Sequence, residues 1–323
     1  MPGIVALCGG VGGAKLAYGM ARTLPPHDLI VIVNTGDDFE HFGLTICPDV
    51  DTVLYTLSGK ENRDTGWGRA GESWGAMDEL GRLGGETWFR LGDKDLALHL
   101  LRRQLLDHGE RLTEVTRQLA ARLGVKIDVL PMSDQAVRTV VATDEGELAF
   151  QDYFVRRRCE PKVIGFRFEG AARARPTPEV EAALSAAELR GIVICPSNPY
   201  VSIGPMLAID GIRQRLEGAP VPILAVSPIV AGRAIKGPAA KMMGELGGPV
   251  SGLLVARLYA GLIDGMLLDE QDHALLAQRR DDDPRLFIAP TVMRTPEDRV
   301  ALARECVRLL GTMGRSHRSG GKA

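Results

Sequence analysis

Short apolar runs and longer stretches of helical period alternate along almost the whole chain. The runs occupy residues 4–8, 29–33, 125–130, 192–195, 223–226, 266–268 and 286–289, and most are apolar nearly throughout. A strand with no polar face is buried on both sides, the condition of a parallel sheet covered by helices. Between these runs, helical patterns are readable over 14–24, 95–108, 112–123, 178–188, 205–216, 251–263 and 296–310. The alternation predicts an α/β fold, a doubly wound, mostly parallel Rossmann-like sheet with helices on both faces. Two helices are expected to open on Thr-Pro-Glu, at Thr177 and Thr295, which combines a capping hydroxyl, a pre-set φ and a carboxylate at the positive helix end.

Residues 139–170 read differently. Alternating segments flank the turn Asp144-Glu-Gly-Glu, and Val163-Ile-Gly-Phe-Arg-Phe follows, the pattern of antiparallel strands. The expected organisation is a Rossmann-like core over 1–135 and 190–311 that carries the cleft. A small strand-rich subdomain or lid would be inserted at 136–189, with a disordered basic tail at 312–323.

In a doubly wound sheet ligands bind beyond the carboxyl ends of the strands. The first such end is the richest: four glycines, Gly9, Gly10, Gly12 and Gly13, precede Ala14 and Lys15. Glycines permit positive φ and close backbone approach, and a following helix points its positive end at the same place, so the run predicts an anion cradle. A Walker loop would need Lys then Ser or Thr after the last glycine, and a dinucleotide fingerprint would need Gly or Ala where Lys15 stands. The plain alternative is a turn that lets a helix pack tightly on a strand. After the second run come Asn34-Thr-Gly-Asp37-Asp38, and soon after, Asp49 and Asp51. Carboxylates facing a diphosphate repel it unless a hard cation lies between them, so Mg²⁺ held by some of them is the consistent reading. About half of these aspartates could equally be helix caps, Asp49 or Asp51 for a helix over 52–57 in particular.

Arg90-Leu-Gly-Asp93-Lys94-Asp95 supplies donors for phosphate or a polar heterocycle, with Asp93 available as a cap. Trp67, Trp74 and Trp88 with Phe89 lie near this segment and could wall a flat aromatic substrate or fill a core. The six histidines show no ligand spacing. A net charge of −2 gives no general pull toward nucleic acid or an anionic membrane, and no apolar run reaches the ~18 residues of a span. Five scattered cysteines, Cys8, Cys47, Cys159, Cys195 and Cys306, argue for reduced thiols in a cytoplasmic protein.

Eight motifs occur in order: Gly9-Gly-Val-Gly-Gly-Ala-Lys-Leu, Asn34-Thr-Gly-Asp-Asp, Cys47-Pro-Asp-Val-Asp-Thr-Val-Leu-Tyr, Arg90-Leu-Gly-Asp-Lys-Asp, Leu130-Pro-Met-Ser-Asp, Phe150-Gln-Asp-Tyr-Phe, Pro196-Ser-Asn-Pro and Ser202-Ile-Gly-Pro. Together they resemble the 2-phospho-L-lactate transferase family of coenzyme F-420 biosynthesis, over residues 4 to about 299. The resemblance implies a Mg²⁺-dependent transferase without a covalent enzyme intermediate. The deazaflavin alcohol Fo attacks a guanylylated phospho-acid (2-phospho-L-lactyl, phosphoenolpyruvyl or 3-phosphoglyceryl) and GMP leaves. It further implies that Asp51 and Arg90 contact Fo, with Asp51 orienting or deprotonating its hydroxyl. Asp37, Asp38 and Asp51 would hold Mg²⁺. Gly9, Gly10, Gly12, Gly13, Lys15, Asn34, Ser197 and Asn198 would hold the nucleotide and its phosphates. A homodimer is the family expectation. Lys94 stands where the family commonly has Arg, which keeps charge but loses a bidentate fork. The competing expectations are a nucleotide-sugar-binding regulator of the related gluconeogenesis-factor branch and a dehydrogenase. The first lacks the segments at Cys47, Arg90 and Phe150; the second is weakened by Lys15.

Overall fold

In the computed structural model, which describes residues 3–314, the seven apolar runs form one sheet. Its strands are Ile4–Cys8, Leu29–Val33, Asp128–Pro131, Gly191–Ile194, Ile223–Val226, Gly265–Asp269 and Arg285–Ala289. Numbered along the chain, they lie in the spatial order seven, six, five, four, one, two, three, and every pairing is parallel. The predicted fold class stands. The first strand pairs with the second on one side, Cys8 opposite Val33, and with the fourth on the other, Leu7 opposite Ile194. The winding direction reverses between strands one and four, and such a switch point opens a crevice at the carboxyl ends.

The strand residues alternate between two cores. Ile4, Ala6 and Cys8 pack under one face with Leu16, Met20, Leu302 and Cys306, from the helices Gly10–Thr23 and Pro296–Thr312. Val5 and Leu7 face the other core, with Ile192, Ile194, Met206 and Ile212. All five cysteines are free, and Cys8, Cys47, Cys195 and Cys306 are buried. Both Thr-Pro-Glu starts cap as expected: Thr177 Oγ1 accepts from Val180 N–H, and Thr295 Oγ1 from Asp298 N–H.

The divergent stretch contains a three-stranded antiparallel sheet of Gly146–Ala149, Arg138–Thr143 and Val163–Glu169, with Arg138–Thr143 in the middle. Its small core of Val141, Phe150, Tyr153 and Val163 is joined by Val201 and Met242 from the main body. The helix Pro178–Leu184, later in the same stretch, sends Val180, Ala183 and Leu184 into the main core. The helix expected over 205–216 is instead two, Gly204–Leu207 and Asp210–Glu217. Fully buried Ile209 between them takes an extended backbone, ψ 109°, and interrupts the helical path. The short helices Gly75–Arg82 and Ala239–Glu245 are additional to those expected from the sequence. The disorder expected of the tail falls on residues 315–323, which lie outside the described residues.

The helices Gly10–Thr23 and Pro296–Thr312 touch at Gly19, where an added Cβ would lie 1.9 Å from the Arg299 carbonyl oxygen. Backbone cannot yield as a side-chain tip can. Gly19→Ala is therefore expected to destabilise the protein by about 1–3 kcal/mol despite the better helix propensity of alanine, read as a lower urea midpoint. An unchanged or raised midpoint would show that the two helices do not meet this closely.

Candidate functional site

The switch point is built from glycines that serve different purposes. The helix begins at Gly10 rather than at residue 14, so the glycine run forms its first turns instead of a separate loop. A Cβ on Gly12 would lie 2.3 Å from Pro196 O, and one on Gly13 2.6 Å from Ser197 Oγ. A Cβ on Gly9 would lie 2.6 Å from Ser202 Cβ. These three let the helix press against the segment after strand four. Gly10 alone has φ +64°, and nothing lies within 4 Å of its Cβ position; it is the glycine of the run that fronts open space.

Ser197 ties the two strand ends together, accepting from Gly9 N–H at 3.0 Å and donating to Gly9 O at 2.7 Å. Asn198 Oδ1 accepts from the N–H groups of Tyr200 and Val201 at 2.9 and 3.4 Å, so this side chain caps the following turn. Asn34 donates to Asp49 Oδ2 at 2.9 Å and to Val201 O at 3.3 Å, and its Oδ1 accepts from Gly36 N–H at 2.8 Å. Asp49 Oδ1 in turn accepts from Gly10 N–H at 2.8 Å. The positive end of the first helix thus already faces a carboxyl. Asn34, Asp49, Ser197 and Asn198 are the braces of the crevice.

Asp37, Asp38, Asp49 and Asp51 are all buried. The helix Pro48–Leu57 has Cys47 as its N-cap residue, so Asp49 and Asp51 lie inside its first turn and neither is the cap. That corrects the expected cap at the start of 52–57: Pro48 at the first position starts the helix earlier. Burial pushes the Asp38 carboxyl up to about 8, against the opposing pull of the Cys47 thiol, Arg138 and Arg102. It pushes Asp49 up to about 6 despite donors from Asn34 and Gly10. Asp37 is held well above the usual range by burial and then by the charge of Asp49. Oδ1 of Asp37 and Oδ1 of Asp38 are buried without a hydrogen-bond partner. Unpaired, desolvated carboxyl oxygens with raised proton affinity suit a hard cation. Among the described residues no group of three or more His, Cys, Asp or Glu is arranged to hold a metal by itself. The fit is to an ion such as Mg²⁺, which uses one or two carboxylates and takes its other ligands from phosphate and water.

Asp51 is different. Both of its oxygens accept from fully buried Arg102, Oδ2 from Nη1 at 3.1 Å and Oδ1 from Nη2. His99 Nδ1 lies 3.7 Å from Asp51 Oδ2, and its Nε2 lies 3.4 Å from Asp95 Oδ1, which also accepts from Tyr55. Arg102 was not among the residues singled out in the sequence, although a signal exists. It stands between Leu98 and Leu105 at helical spacing, an arginine on the apolar stripe of its own helix, Asp93–Asp107. Gln151, from the Phe150-Gln-Asp-Tyr-Phe motif, reaches Asp37 O at 3.5 Å and brings the inserted sheet to the acids.

Arg90 itself is engaged elsewhere, although Asp95 of the same segment meets His99 beside Asp51. Arg90 is exposed, donates to Asp78 Oδ1 at 2.8 Å and stacks on Trp74 with its guanidinium 4.8 Å from the ring centroid. Asp93 caps a neighbouring helix instead of its own: its carboxylate accepts from Ser73 Oγ at 2.6 Å and from the N–H groups of Gly75 and Ala76, both at 3.0 Å. Glu72 returns the favour, accepting from Lys94 and Asp95 N–H at 2.8 and 3.0 Å at the start of Asp93–Asp107. Lys94 Nζ donates to Gly71 O. The tryptophans do not form one wall. Trp88 packs with Phe39, His41 and Phe89, Trp74 carries Arg90, and Trp67 is exposed. Lys15 points away from the acids, its Nζ donating to Met293 O at 3.0 Å.

A family model described as "2-phospho-L-lactate transferase CofD" matches residues 4–292. The chain belongs to this family. It is 41% identical over 312 residues to a protein of Streptomyces griseus named "Phosphoenolpyruvate transferase", covering 95% of this chain and 98% of that one. It is 38% identical over 271 residues to the "2-phospho-L-lactate transferase" of Methanosarcina mazei, covering 84% and 88%. Among solved structures, a upf0052 family member from Bacillus halodurans superposes with a TM-score of 0.54 at 16% identity, over 90% of this chain and 88% of that one. That likeness concerns the fold alone. No helix among the described residues is long and apolar enough to cross a membrane.

In this transferase-family chain the buried carboxyls have a measurable consequence. Asp38 keeps its proton up to about pH 8 when folded and loses it near the ordinary 3.8 when unfolded. Across that window the folded state holds more protons, so stability falls as pH rises and is lowest above about 8. In metal-free protein Tm is expected to drop between about pH 6 and about pH 8, and Asp38→Asn is expected to flatten that drop. An equal pH slope in the variant would refute the buried, proton-holding carboxyl.

Proposed function

We propose that the protein transfers a phospho-acid group from its guanosine diphosphate ester to the deazaflavin alcohol Fo, forming a phosphodiester of the coenzyme F-420 type and releasing GMP. The Fo hydroxyl oxygen bonds to the phosphorus of the phospho-acid. The bond from that phosphorus to the bridging oxygen breaks, GMP leaves with the bridging oxygen, and the hydroxyl proton passes to a base. The observation that carries this reading is the pair of orphaned oxygens on Asp37 and Asp38, buried beside the switch point of a chain in this family.

Phosphoryl-type transfer asks for charge neutralisation and in-line positioning more than for a protein nucleophile. Asp37 and Asp38 would hold Mg²⁺, which supplies charge neutralisation to a bound diphosphate. Gly10 and the first helical turn give the donor phosphates an approach that a side chain would close. Asn34, Ser197 and Asn198, engaged with backbone, keep that approach open. Asp51 is held in place by Arg102, which suits it to accept a hydrogen bond from the Fo hydroxyl and aim its oxygen. Arg90 on Trp74 offers a cation and a flat ring to the deazaflavin. Relatives carrying the phosphoenolpyruvate transferase name make the enolpyruvyl ester the first donor to try.

Purified protein incubated with Fo, Mg²⁺ and each of the enolpyruvyl, lactyl and glyceryl esters is expected to give GMP and a phosphodiester by mass spectrometry. Chelation should stop the reaction. Failure with all three donors would sink the proposal. Asp51→Asn is expected to lower kcat by roughly a hundredfold or more and, because it leaves buried Arg102 without its anion, to lower Tm as well. Full activity in that variant would remove the role given to Asp51.

A further inference from the structure

A second concave site lies against the first helix. It is a cavity of about 210 Å³ between that helix, the end of Pro48–Leu57, the segment 61–66 and the start of Pro296–Thr312. Lys15, Arg63, Arg294 and Arg299 line it together with a single carboxylate, Glu61. Arg299 is buried and donates to Glu61 Oε1 at 3.1 Å, and Arg63 Nε stands 3.8 Å from the same oxygen. Arg299 Nε and Glu61 Oε2 are buried with no partner. Burial, with the nearby charges of Arg299 and Lys236, lowers the proton affinity of Lys15. One carboxylate against four cations is not the balance of a structural ion pair, which would neutralise itself. With Glu61 as the one carboxylate lining the cavity, these groups leave an excess of positive charge in a partly desolvated space.

We propose that this cavity binds a phosphate group of a small phosphorylated ligand. Arginine forks and a lysine around a compact space match the charge and the several acceptors of phosphate better than those of a single carboxylate. The hydroxyl-bearing residues Thr56 and Thr295 line the same wall. The volume takes a phosphate or diphosphate but falls below the ~300 Å³ at which sites for whole drug-sized ligands begin, so the rest of the ligand extends outward. One direction outward is toward the proposed transfer site. Gly66 lines the cavity, and a Cβ there would lie 3.1 Å from Val11 Cγ1 and 2.7 Å from Lys236 Nζ. The phosphate could therefore belong to the guanosine diphosphate ester, an assignment that rests on the function proposed above, or to a separate phosphorylated ligand.

The test is calorimetric titration of the full chain with inorganic phosphate. Arg63 and Arg294 are exposed at the rim, so the Arg63→Ser/Arg294→Ser double variant should keep its Tm. Wild type is expected to bind phosphate at one site, the serine variant at least tenfold more weakly, and Arg63→Lys/Arg294→Lys within a few-fold of wild type. Absence of binding, or equal affinity in wild type and the serine variant, overturns the proposal. Guanosine diphosphate is then added to the phosphate complex. Displacement assigns the site to the nucleotide ester. Additive binding leaves the phosphate site standing and detaches it from the transfer reaction, so the two proposals fail separately.

Discussion

Desolvation of acids at the strand ends is the constraint from which the site follows. Asp37, Asp38, Asp49 and Asp51 are buried together, and Arg102 binds Asp51 alone through both of its oxygens. The remaining carboxyls must take protons, donors or a cation. Asp49 takes donors from Asn34 and Gly10; Asp37 and Asp38 keep an oxygen each unpaired. The fold can bear that cost because the surrounding sheet is apolar on both faces and well packed. A buried cluster of this kind is locally unfavourable and is held by the rest of the chain.

The sheet was legible because each of its strands is a nearly unbroken apolar run, and burial on both faces leaves no other pattern available. The site was legible in part, since turn chemistry and acids after strand ends mark the crevice wherever the switch point falls. What the sequence concealed was the division of labour. Gly12 and Gly13 read as part of a phosphate cradle, yet their missing Cβ atoms make room for Pro196 and Ser197, nearly two hundred residues away along the chain. Asp93 reads as a local cap because capping is usually local, and it serves the neighbouring helix instead. Arg102 was hidden because its partner, Asp51, lies 51 positions earlier.

Two kinds of positive charge thus stand in the structure for opposite reasons. Arg102 answers an acid that the fold itself buries. Lys15, Arg63, Arg294 and Arg299 outnumber the acid they surround. Internal balance and internal excess separate a structural cation from a binding one more clearly than residue type does. In the sequence both kinds read simply as basic residues on helices and loops.

The exchanged caps between Glu72 and Asp93 reach beyond the stability of two helix ends. Each helix start is completed by an acid at or just before the start of the other, so neither can fray without unpairing its counterpart. Arg90 lies inside the span that this exchange closes, and Lys94 pins its edge to Gly71. The span is therefore closed like a buckle, with Arg90 and Trp74 presented together on its surface.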